Sequence, residues 1–135
     1  MIPSGLVAPA AYALSVALTF LTVLHLYWAF GGTWGLAAAL GREEIDASSG
    51  LRAAAGGVAV ALLVAAVGVL GRVGCWGDFL PWTLLSWGTW ALVIALFLAG
   101  LINLTAATWL ERLVFAPIAV ALGMLALLIA RSPRP

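Results

Sequence analysis

Pro9-Ala-Ala-Tyr-Ala-Leu-Ser-Val-Ala-Leu-Thr-Phe-Leu-Thr-Val-Leu-His25-Leu-Tyr-Trp-Ala-Phe30-Gly-Gly-Thr-Trp-Gly35 is a charge-free apolar run that stops at paired glycines. About 20 apolar residues cross a hydrocarbon core, and backbone groups in lipid must pair within the segment, so the run reads as a transmembrane helix over 9–30. Pro9 suits a first helical turn, and Gly31-Gly32 ends the helix. Tyr12, Ser15, Thr19, Thr22 and His25 follow at spacings that place them roughly on one face. In lipid such a face is expected to turn into a bundle. Ser15 and Thr19 read as ordinary interhelical hydrogen-bonders. His25 lies about 7 Å below the end of the span, close enough to the surface to exchange protons with it.

The rest of the composition agrees with a membrane protein. Of 135 residues, 65% are hydrophobic and 8% charged, with a mean hydropathy of +1.18. A soluble domain of this size could not hide so much apolar surface. Net charge is +1, too small to attract nucleic acid or an acidic partner. The single cysteine, Cys75, excludes an intrachain disulfide and reads as a small turn residue. The first apolar run is too long for a signal-peptide core and reads as a retained span. Abundant Ala, Gly and Arg with no lysine hint at a GC-rich bacterial genome.

Three further apolar runs follow, over about 51–70, 79–104 and 109–130, giving one four-span domain over 1–135. The expected fold is an all-α integral membrane four-helix bundle with antiparallel neighbouring spans. Ser48 or Ser49 is the candidate N-cap of the second span and Gly71 its candidate C-cap. Asp78 and Pro81 introduce the third, and Thr108-Trp-Leu-Glu111 forms a capping-box pattern for the fourth. Gly57, Ala61, Ala65 and Gly68 make a small-residue stripe suited to close helix approach, within the bundle or against another protomer or a larger membrane complex. Trp76, Phe79 and Trp82 read as an aromatic belt, whereas Trp87 and Trp90 read as core packing ahead of cavity lining. Trp34 to Gly41 could lie as a short interfacial helix. The acidic stretch Glu43, Glu44 and Asp46 could bind a hard cation but reads first as a solvated loop.

An even number of spans puts both termini on one side. Arginines divide equally, with Arg72, Arg131 and Arg134 on that side and Arg42, Arg52 and Arg112 on the other. The unopposed Arg131 and Arg134 favour cytoplasmic termini. The same span count brings His25, Tyr27, Trp28, Trp34, Arg52, Asn103, Trp109, Glu111 and Arg112 to the opposite face. Pro117, inside the fourth span, withholds an N–H from the Leu113 carbonyl; the kink would open space beneath Glu111 and Arg112. These residues predict a polar, aromatic-walled pocket. Each also has a plainer reading: Glu111 as capping acid, Arg112 snorkelling to headgroups, His25 bonded for packing. The Asn103-Leu-Thr105 sequon, in so apolar a segment, reads as a chance match. One histidine, one cysteine and scattered acids fall short of a zinc or di-iron set, and a bis-histidine haem would need two copies; no metal or cofactor is expected.

His25-Leu-Tyr-Trp-Ala-Phe-Gly-Gly-Thr-Trp-Gly35, with Asn103 and Trp109-Leu-Glu-Arg-Leu-Val-Phe-Ala-Pro117, resembles the small bacterial family called domain of unknown function 3995. The resemblance spans nearly the whole chain, and the 25–35 motif is its most specific part. It implies a four-span membrane protein and supplies no reaction.

Three functions remain open. The first is a binding or transport module in which the His25 pocket takes a lipid-like or small amphipathic ligand. The second is an accessory subunit packing through its small-residue stripe. The third is a membrane-embedded enzyme using His25 as acid or base, with Glu111 and Arg112 positioning an anionic head. The expected location is the bacterial inner membrane, with membrane lipids as partners and no nucleic acid.

Overall fold

A computed structural model describes residues 4–36, 48–75, 80–106 and 109–133. Four long helices cross the molecule: α1 Ser4–Ala29, α2 Ser49–Arg72, α3 Trp82–Leu104 and α4 Glu111–Ala130. At 1.5 Å per residue, even the 20 residues of α4 reach about 30 Å, the hydrocarbon thickness of a bilayer. α1 packs chiefly on α2 and α3 chiefly on α4; α2–α3 and α1–α4 contacts close the two hairpins into a bundle. Large apolar side chains such as Phe20 (68% exposed) and Trp87 (72% exposed) stand on the outside, as lipid rather than water requires. The protein is a multi-pass, all-α membrane protein.

The core is asymmetric along the bundle axis. Its main cluster joins all four helices from the terminus end to just past the middle of the bundle: Ala10, Ala11, Leu14 and Leu18 meet Ala66, Val69, Val93, Leu96, Leu122, Ala126, Ile129 and Ala130. At the other end the buried cluster is Trp28, Leu36 and Ala55, with Leu24, Ala29 and Leu51 against it. That second cluster draws on α1, α2 and their connection alone. Glycines set the α3–α4 spacing: a β-carbon on Gly100 would stand 2.9 Å from Val120 Cγ2, and one on Gly123 3.3 Å from the Phe97 ring.

Several expectations change. α1 begins at Ser4, so Pro9 lies inside it; the N–H missing at Pro9 affects only the carbonyl of Gly5, in the first turn. Ser48 is the N-cap of α2, accepting from Leu51 N at 3.4 Å. The other end of α2 runs past Gly71 to Arg72 and closes at Gly74 (φ +83°), with Gly74 N bonded to Gly71 O and Cys75 N to Leu70 O. That is the paired bonding of a Schellman cap. Pro81 is the N-cap of α3 and not part of its first turn. The Asp78 and Thr108 caps, the acidic stretch and most of the 34–41 helix lie outside the described residues.

The polar face of α1 is narrower than its spacing suggests. Ser15 is buried and donates to Ala66 O at 3.2 Å, while Thr22 is buried and donates to Leu18 O. Thr19 and Tyr12 face outward; Thr19 satisfies itself on Ser15 O at 2.8 Å, and the Tyr12 hydroxyl lies 3.5 Å from Cys75 Sγ. Self-bonding to the i−4 carbonyl removes the reason for a hydroxyl to turn inward. Trp87 and Trp90 are exposed, so neither serves as core. On α2 the buried stripe is Ala55, Ala59, Ala66 and Val69; Gly57 and Ala61 face out, and nothing approaches within 4 Å of a β-carbon built on Gly57 or Gly68.

Candidate functional site

The end of α1 carries the most detailed local structure. Gly31 takes φ +96°, its N–H bonded to Trp28 O at 3.0 Å, and Gly32 N bonds to Tyr27 O at 2.9 Å. This second Schellman cap needs a residue free of the β-carbon penalty at Gly31. The Tyr27 ring folds over Gly32 so closely that a β-carbon there would overlap it. Arg52 Nε, reaching from α2, donates to Ala29 O at 3.1 Å and so satisfies a last-turn carbonyl. Trp28 is buried, and its Nε1–H donates to Trp34 O at 2.9 Å, drawing the chain after the glycines back onto the bundle.

His25 stands within this cap. Its ring meets Trp28 edge-on, centroids 4.8 Å apart, and its Nδ1 lies 2.8 Å from Leu21 O. A carbonyl oxygen only accepts, so Nδ1 carries the proton. In the neutral ring Nε2 is then the lone-pair nitrogen, and it makes no hydrogen bond among the described residues.

The same face receives the end of α3 and the start of α4. Asn103 is half-buried, and its side chain makes no hydrogen bond among the described residues. Glu111 is buried and Arg112 exposed. Residues Glu111–Phe115 form a π-turn in which Ala116 N donates to Glu111 O, five residues back. Such turns concentrate at functional sites. Pro117 follows at once, so the Leu113 carbonyl lacks its ordinary helical donor, as expected from the sequence.

The nine sequence-predicted residues therefore share one end, in two groups. His25, Trp28 and Trp34 are linked to one another, with Tyr27 and Arg52 packed on the same cap. Asn103, Trp109, Glu111 and Arg112 belong to the α3–α4 hairpin. Trp34 and Trp109 expose their indoles, suited to headgroup depth. The sequence counts Arg72 only among the arginines of the terminus side and does not single it out, yet it is 3% exposed, with Cζ 3.7 Å above the Trp82 ring. The only signal was its place directly after the apolar run, ten residues before a tryptophan.

Removing one bond tests the cap. Trp28→Phe keeps the apolar contact but loses the donor to Trp34 O, and is expected to cost about 1 kcal/mol in equilibrium unfolding in mixed micelles. No change would mean that the bond does not hold the loop.

A family model described as a protein of unknown function, DUF3995, matches residues 18–126. Neither a curated protein nor a solved structure matches the chain.

Proposed function

We propose, from the premise that the chain belongs to the DUF3995 family of proteins of unknown function, that it is a binding or transport module for a lipid-like or small amphipathic ligand. The ligand enters at the His25 end, between the α1–α2 cap and the start of α4. One observation carries this reading: the four-helix apolar core stops short of that end, where Thr22, His25 and Glu111 stand instead. Partly or fully buried polar groups at membrane depth are costly and are commonly kept for a task.

The chemistry follows from the groups. Nε2 of His25 accepts a hydrogen bond from a ligand hydroxyl or ammonium. Arg112 is placed for an anionic head, and Trp34, Trp109 and Tyr27 flank the entrance at headgroup depth. The bacterial cytoplasmic membrane, with cytoplasmic termini, is the location this reading adopts, on the strength of Arg131 and Arg134 beyond α4.

Mass spectrometry of small amphiphiles retained by protein purified in mild detergent tests the proposal. Wild type is expected to retain a discrete species, and His25→Leu to retain about tenfold less, the worth of one buried hydrogen bond to an ionisable ring. Equal retention by both would remove His25 from the site. The second reading is an accessory subunit, favoured by the open space over Gly57 and Gly68 on the outer side of α2. Its mark would be copurification with one fixed partner protein, unchanged in His25→Gln.

A further inference from the structure

We propose that the guanidinium of Arg72 is a receptor for a phosphate oxyanion at the membrane face that holds the termini. Arg72 ends α2, Trp82 begins α3 and Ser132 follows α4, so three helix ends converge on this side chain. Nη2 donates to Ser132 O at 2.8 Å and to Ala130 O at 3.4 Å. These carbonyls close α4, where the helix dipole is negative. The Trp82 ring covers one side of the guanidinium.

That leaves the cation partly answered. Nε and Nη1 are buried and have no hydrogen-bond partner among the described residues. They hold three of the five N–H groups of the side chain. Glu111 is the sole acid among the described residues and stands at the opposite face. Among the described residues this buried charge has no counter-ion, a strongly unfavourable arrangement, so the fold gains from an added anion. At interface depth the abundant anion is phosphate, and arginine is the side chain best suited to it. Trp82 is only partly buried at the first residue of α3, so a rotation of its indole admits an oxygen to Nε.

The test uses full-length protein with nitrogen-labelled arginine in maltoside detergent, which carries no phosphate. Wild type should show a slowly exchanging arginine Nε–Hε resonance that is absent in Arg72→Lys. Adding phosphatidylglycerol should shift it, which assigns the site to a lipid; a shift with inorganic phosphate alone assigns it to the free ion. In native mass spectrometry, phosphatidylglycerol retention should fall about tenfold in Arg72→Lys and stay unchanged in Arg131→Gln. No shift with either phosphate source would overturn the proposal. So would a displacement of the resonance by Asp78→Asn before any phosphate is added, which would give the counter-ion role to the chain itself. The readouts do not involve His25, so their failure leaves the reading of the other end untouched.

Discussion

Gly100→Leu is expected to destabilise the bundle by about 3 kcal/mol, the upper range for forcing bulk into a packed interface. Even the first carbon of a side chain at 100 would stand 2.9 Å from Val120 Cγ2 and 3.5 Å from the Ala116 carbonyl. Leucine adds three more carbons, and the backbone of α4 cannot yield as a side-chain tip can. Helices in lipid associate largely through close packing, since the surrounding chains are as apolar as the helices themselves. The loss should therefore appear as separation of α3 from α4. Equilibrium unfolding in mixed micelles measures it, with Gly57→Leu as comparison because nothing lies within 4 Å of a β-carbon there. Equal losses at the two glycines would show that the α3–α4 contact is not what holds the hairpin.

The second large effect is at the α1 cap. Gly32→Ala should cost about 1 kcal/mol, because the new methyl overlaps the Tyr27 ring and must push that exposed ring off the cap. In a Tyr27→Ala background the same substitution should cost less than half as much, since the obstacle has gone. A double-mutant cycle reads this coupling directly. If the two changes simply add, Tyr27 is not what excludes a side chain from position 32.

Apolar run length decided the fold, because lipid leaves the backbone few choices: 9–30, 51–70, 79–104 and 109–130 are recovered with ends moved by five residues or fewer. The co-location of His25, Asn103 and Glu111 was likewise readable, since it needs only alternating span direction. Side-chain facing was much less so. Thr19 could answer its own backbone, and Trp87 could sit in lipid, and neither choice disturbs the sequence pattern. Arg72 was hidden because its partners, Ala130 O, Ser132 O and the Trp82 ring, are brought to it by three separate helix ends. Whether His25 binds anything is a question of chemistry that spacing does not reach.

The π-turn at the start of α4 works as a one-residue spacer in the helical phase. In uninterrupted α-helix, residues five apart point about 140° away from each other. Glu111 and Ala116 nevertheless both turn inward, because the wider turn gives back most of that angle. Wound as regular α-helix at the same length, with α4 seated by its lower half, the segment would swing the carboxylate by roughly the 100° of one residue around the axis, out toward the acyl chains. Deleting one residue between them would instead leave the acid four positions from Ala116, about 40° away and still inward. The inward acid is thus held by the width of one turn, and a change that rewinds that turn without shortening the chain would act on Glu111 as surely as replacing it.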